Sequence, residues 1–98
     1  DNFNVTPLIL ACLKGDEKMV RFLIHQGVDI NKENNYGDTP LIMACYRGQE
    51  TIVKLLIKHG ADINKKGGYI ESSPLVISFT KDFLSITQLL IKNGADIN

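Results

Sequence analysis

The sequence predicts an all-α fold, a stack of three helix-turn-helix units joined by extended loops, and two recurring markers carry that prediction. Thr6-Pro7-Leu8 returns after 33 residues as Thr39-Pro40-Leu41 and, loosened, after a further 34 as Ser73-Pro74-Leu75. Gly27-Val28-Asp29-Ile30-Asn31 returns at the same two steps as Gly60-Ala61-Asp62-Ile63-Asn64 and Gly94-Ala95-Asp96-Ile97-Asn98. A period of this length is the signature of stacked supersecondary units, none of which buries its apolar face alone. The span from leucine to glycine is 19 residues in every unit (Leu8 to Gly27, Leu41 to Gly60, Leu75 to Gly94), so the one additional residue falls between Asn64 and Ser73, at Gly67-Gly68. The 98 residues form a single domain with units at 1–33, 34–67 and 68–98.

Each unit reads as a short helix, a turn, a second helix and a loop. Thr6, Thr39 and Ser73 are suited to cap a helix by accepting a backbone N–H, and the proline after each fits the first helical position. Leu8, Ala11 and Cys12 fall on one face of the first helix, as do Leu41, Ala44 and Cys45. Gly15 and Gly48 follow as left-handed stops. The second helix carries Met19, Val20, Leu23 and Ile24, matched by Ile52, Val53, Leu56 and Ile57, and Gly27, Gly60 and Gly94 end it. Helices this short are not stable alone in water, so stability must come from stacking. Asp29, Asp62 and Asp96, with Asn31, Asn64 and Asn98, read as turn-fixing side chains after each terminal glycine.

The succession Thr-Pro-Leu, Ala, Gly, a Val-x-x-Leu run and Gly-Ala-Asp-Ile-Asn resembles the ankyrin repeat over the whole chain, strictly in the first two units and more loosely in the third. The resemblance implies a solenoid of L-shaped units, each of two antiparallel helices with a β-hairpin finger. Fingers and first helices would line a concave face presented to a protein partner. Departures from the pattern stand out. Ile9, Ile42 and Val76 take the place of the usual histidine, which removes a side-chain hydrogen bond to the capping residue. In the third unit Asp82 replaces the turn glycine, Phe79 stands where Cys12 and Cys45 stand, Thr87 replaces a valine, and Phe83 and Leu84 replace polar residues. A terminal cap is expected to be more polar than its neighbours. The third unit therefore reads as an internal repeat, and the chain, opening Asp-Asn-Phe-Asn, as a section of a longer protein.

Composition narrows the function. Hydrophobic residues at 44% and charged residues at 22% fit a soluble globular chain. Lys plus Arg and Asp plus Glu balance at 11 each, against the cationic excess that non-specific nucleic-acid binding needs. No apolar run is long enough for a bilayer. Two cysteines, Cys12 and Cys45, suit a reducing intracellular compartment, expected to be the cytoplasm. Neither phosphate-binding glycine loops nor a nucleophile elbow occurs. His25 and His59 lack ligand partners at metal spacing. Gly67-Gly68 reads as loop flexibility. No catalysis, cofactor or metal is expected, and the chain is expected to be monomeric.

Positions that vary between units are the ones packing does not dictate, and they fall in two strips. The strip before each Thr-Pro holds Asn2, Phe3 and Val5, then Asn35, Tyr36 and Asp38, then Tyr69, Ile70 and Ser72. The strip ending each first helix holds Leu13 and Lys14, Tyr46 and Arg47, Thr80 and Lys81. Glu33 and Lys66 sit beside the fingers. Phe3, Tyr36 and Tyr69 are expected to form a fingertip row. Aromatics and arginine are common interface anchors. Lys14, Arg47, Lys65, Lys66 and Lys81 outnumber Glu33, Asp38 and Glu71, which points to a mildly acidic protein partner. The alternatives are a structural spacer that binds nothing and a regulatory segment of a larger enzyme or channel.

Overall fold

The computed structural model describes residues 5–68 and 71–98. They form six α-helices and no β-strand: α1 (Pro7–Lys14), α2 (Glu17–His25), α3 (Pro40–Tyr46), α4 (Glu50–Lys58), α5 (Pro74–Thr80) and α6 (Leu84–Lys92). The first helix of each pair starts in the same way. The hydroxyls of Thr6, Thr39 and Ser73 accept the N–H of Ile9, Ile42 and Val76 at 3.1, 3.2 and 3.2 Å. Pro7, Pro40 and Pro74 then occupy the first helical position, where a missing N–H breaks no bond. Gly15 and Gly48 turn the chain at φ 69° and 66°, and Asp82 makes the same turn at φ 63° despite its Cβ, at a cost of about 1 kcal/mol.

The first helices stack on one another (α1 on α3, α3 on α5) and the second helices do likewise (α2 on α4, α4 on α6). One apolar cluster runs between the two layers through all three pairs, from Leu8, Cys12 and Val20 through Leu41, Cys45 and Val53 to Ile77, Ile86 and Leu90. Ile9 and Ile42, which replace the histidine of the family pattern, are fully buried. In the third pair, two polar residues enter the core together. Ser78 and Thr87 stand where earlier pairs have Ala44 and Val53, and their hydroxyls meet at 2.8 Å. Whichever hydroxyl accepts that bond passes its own proton to a helix carbonyl, that of Leu75 or of Phe83. The substitutions support each other, since each hydroxyl bonds the other as well as a carbonyl of its own helix.

After each second helix the expected turn forms. Asp29, Asp62 and Asp96 accept the N–H of Asn31, Asn64 and Asn98 at 3.0, 3.2 and 2.9 Å. The asparagines also reach across to the next pair. Asn31 Oδ1 accepts the Asp62 N–H at 2.8 Å while its Nδ2 donates to the Gly60 carbonyl at 3.2 Å. Asn64 Oδ1 accepts the Asp96 N–H at 2.8 Å. Each junction is thus tied at its edge by a side chain that satisfies backbone groups of the following unit.

The finger at residues 34–38 is described throughout. Asn34 Oδ1 accepts the N–H groups of Tyr36 and Asp38 at 2.9 and 3.0 Å, folding residues 34–38 into a compact turn. Among the described residues the only β-type pairing is an antiparallel bridge between Gly67 and Ser72. The Gly67-Gly68 pair, read from sequence as flexible loop, has a packing reason instead. A Cβ on Gly67 would run into the Gly37 carbonyl oxygen and the Ile42 side chain, and Gly68 donates its N–H to the Tyr36 carbonyl at 3.0 Å. Among the described residues no helix is long and apolar enough to cross a membrane.

The stacking order makes equivalent residues unequal. Ile42 is fully buried by the third pair, whereas Val76, one unit on, is 47% exposed. Ile42→Ala is expected to destabilise the fold by about 2–5 kcal/mol. Val76→Ala should cost less than about 0.5 kcal/mol. Urea unfolding of both variants in dilute solution checks this, and similar losses would show that position 76 is packed after all.

Candidate functional site

Among the described residues the two strips of variable residues meet at Gly68, which lies against Asp38 of one strip and Tyr46 of the other. Tyr36 stands on the 34–38 turn with about half its surface exposed. Tyr46 closes α3 and is half-buried, and Arg47 beside it is exposed. Lys81, in the equivalent place one unit on, lies with Nζ 5.9 Å from the Tyr46 ring centroid. That cation–π contact is worth about 0.5–1 kcal/mol at an exposed site and holds the lysine beside the ring. Lys14 is exposed at the end of α1, Leu13 and Val5 are half-buried, and Asn35, Lys66 and Thr80 are exposed. Thr80 bonds back to the Ile77 carbonyl at 3.0 Å. Phe3, Tyr69 and Ile70, with Asn2, lie outside the described residues, so of the expected aromatic row only Tyr36 is placed.

Charge is arranged differently from the simple count. Glu33 pairs with Lys65 at 3.5 Å across neighbouring fingers, which removes one acid and one base from the tally. Asp38, expected at the surface of the strip, is only 7% exposed. It is pinned there by its own backbone: its N–H donates to Asn34 Oδ1, and its carbonyl accepts the Asn34 N–H at 3.0 Å. Its Oδ1 is buried without a hydrogen-bond partner, and faces Gly68, whose Cβ, if it had one, would stand 2.9 Å from that oxygen and 3.6 Å from the Tyr46 hydroxyl. Burial raises the Asp38 pKa, and a hydrogen bond from the Asn34 side chain works the other way. Nothing in the residue type announced this. The signal available was Asn34 four residues before Asp38, a spacing that lets one asparagine side chain fold the turn inward.

The remaining reactive groups have structural places. Cys12 and Cys45 are free and buried, and desolvation pushes both thiols up to about 12. A thiol so protonated is a poor nucleophile. His25 and His59 are exposed near the ends of α2 and α4. Among the described residues no group of three or more His, Cys, Asp or Glu side chains is placed to hold a metal ion.

Paired helices stacked in two layers, with every first helix capped by a hydroxyl and opened by a proline, define a helical repeat protein. The family model for ankyrin repeats (3 copies) matches residues 1–67, more than half of the chain, and the chain belongs to the ankyrin repeat family. Ankyrin repeats are in general protein–protein interaction modules and are typically non-catalytic.

Two measurements follow from the buried groups. The Asp38 carboxyl holds its proton more tightly folded than unfolded. The stability this confers is complete below the unfolded-state value of about 3.9 and is lost as pH rises through the folded one. Asp38→Asn should therefore raise stability at neutral pH, by about 1 kcal/mol for relief of a buried unpaired acceptor, with the advantage vanishing on acidification. Denaturant midpoints across pH test this, and a pH-independent difference would refute it. Separately, an aromatic disulfide reagent should label neither cysteine in the folded protein and both after unfolding.

Proposed function

We propose that this chain is a protein-recognition module, a solenoid of three helical pairs that presents its finger turns and the ends of its first helices as a concave face to a protein partner. The observation that carries the reading is the contact of Lys81 with the Tyr46 ring, with Arg47 next to Tyr46 in sequence and Tyr36 exposed on the neighbouring turn. These residues vary between units and are exposed or half-buried, and Tyr46 and Lys81 come from two different pairs to one contact. Tyrosine and arginine bury much area at small entropic cost, which suits them to anchor a partner.

The partner is a protein with a mildly acidic surface around an apolar centre. Lys14, Arg47, Lys66 and Lys81 are exposed, while Asp38 is buried and Glu33 is engaged by Lys65, leaving Glu71 as the exposed acid of the strips. Leu13 and Val5 extend the surface along the first pair, with Asn35 and Glu33 at its rim. Phe3, Tyr69 and Ile70 share the repeat positions of this set in sequence and lie outside the described residues. Two free thiols are compatible with an intracellular, reducing setting.

Affinity capture from a lysate of the source cell tests the proposal. Partner retained by the unaltered chain should be lost from one carrying Tyr36→Ala, Tyr46→Ala, Arg47→Ala and Lys81→Ala with unchanged helicity. At least one single substitution should weaken binding by about 2 kcal/mol or more, and added salt should weaken binding further. Equal capture by both chains would move recognition to another surface, and no specific capture by either would favour a spacer role.

A further inference from the structure

We propose that the cleft between α2 and α4, in the layer of second helices, binds a phosphorylated serine or threonine in a segment of a protein partner. The cleft holds about 230 Å³ and is lined by Arg21, Ile24, His25, Leu55, Lys58 and His59. Ile24 and Leu55 are half-buried, and the four basic residues are exposed around them. Both walls are supplied by this chain, since α2 and α4 stack directly on each other. The cleft therefore does not depend on what flanks the three pairs, and it is separate from the finger edge.

The charge of the cleft is unopposed. No acid lines it. Among the described residues the ion pairs are Glu50–Lys54 and Glu33–Lys65, and neither involves a cleft residue. Glu17 and Glu50 stand at the far, N-terminal ends of the two helices, while Asp29 and Asp62, in the turns beyond, accept backbone N–H groups. Basic side chains near a helix end often serve to bond its last carbonyls. Here the backbone does so: the carbonyls of Phe22, Leu23 and Ile24 accept from Gln26 and Gly27, and those of Leu55, Leu56 and Ile57 from His59 and Gly60. The chain as a whole is neutral, so the cleft carries a local excess that the scaffold does not consume. The next junction lacks the set. There Lys54, in the place of Arg21, is engaged by Glu50 at 3.5 Å, and Asn93, in the place of His59, bonds the Leu89 carbonyl at 2.8 Å.

Charge and donors select the occupant. Arg21 and Lys58 supply two positive charges at neutral pH, against about −1.5 to −2 on a phosphorylated side chain. A carboxylate would match only one of them. The guanidinium fork of Arg21 suits two phosphate oxygens at once, and the imidazoles of His25 and His59 have N–H groups to donate to the remaining acceptors. Ile24 and Leu55 offer nothing to a free phosphate ion. They suit the carbon atoms of the residue that carries the phosphate or of its neighbour, in the usual mixture of an apolar lining with a few convergent polar groups.

Nuclear magnetic resonance titration of the isotope-labelled chain with a peptide library carrying a fixed central phosphoserine tests the site. The library should shift the backbone signals of residues 21–25 and 55–59, at concentrations about tenfold below those at which inorganic phosphate does so. The unphosphorylated library should shift none of them. Arg21→Gln combined with Lys58→Gln should weaken binding about tenfold, while Lys92→Gln, at the place of Lys58 one pair on, should leave it unchanged. All three positions are exposed, so circular dichroism should be the same for every variant. Signals that stay in place with the phosphorylated library, or that move equally with the unphosphorylated one, would overturn the proposal. So would inorganic phosphate binding as tightly as the peptides, which would make this a site for a free ion, or tighter binding to phosphatidylserine vesicles, which would make it a membrane contact.

Discussion

The constraint on which the rest of the structure depends is that no helical pair here is thick enough to bury its own apolar face. The helices run to nine residues at most, too few to persist in water by backbone hydrogen bonding. Burial happens at the junctions between pairs, and every other feature serves to set the spacing of those junctions. The hydroxyl-proline starts give the first helices a common entry direction. The left-handed turns bring the second helices back against them. The terminal Asx turns, with their asparagines reaching forward, set the distance to the next pair. The proposed recognition face can vary because it lies at the edge of this arrangement and, Tyr46 and Asp38 apart, carries little of its packing.

The fold was legible because its requirements recur. Thr39 could be read as a cap because Thr6 and Ser73 occupy the same place, and Gly48 as a left-handed turn because Gly15 does. Asp82 was legible as a strained substitute for glycine, and its φ bears that out. What stayed hidden lies between units. Asn31 and Asn64 looked like local turn residues, but their second hydrogen bonds join positions about a full repeat apart. Thr87 looked like a lone departure and is half of a pair with Ser78, because an α-helical hairpin brings residues nine apart in sequence into contact.

The candidate site was less legible than the fold. Its strips were found by subtraction, as positions that packing leaves alone, and that logic places Tyr46, Arg47 and Lys81 together. It fails for Asp38, which varies between units and yet is buried, because the Asn34 side chain curls the finger over it. It also miscounts charge, since it tallies residues one by one and overlooks that Glu33 and Lys65, about one repeat apart, pair across neighbouring fingers. Variation therefore marks freedom from the common scaffold, not exposure to solvent. A residue used by only one unit is as variable as one used by none.

The forward-reaching asparagines also bear on how such a chain can diversify. Asn64 fastens to Asp96 as Asn31 fastens to Asp62, although the segment between carries one more residue at Gly67-Gly68. The extra length is absorbed in the finger, upstream of α5, and the fastening restores the register of the third pair. Insertions in the fingers are in this way decoupled from the geometry of the stack, so evolution can lengthen and reshape the finger edge one residue at a time while the helices keep their places.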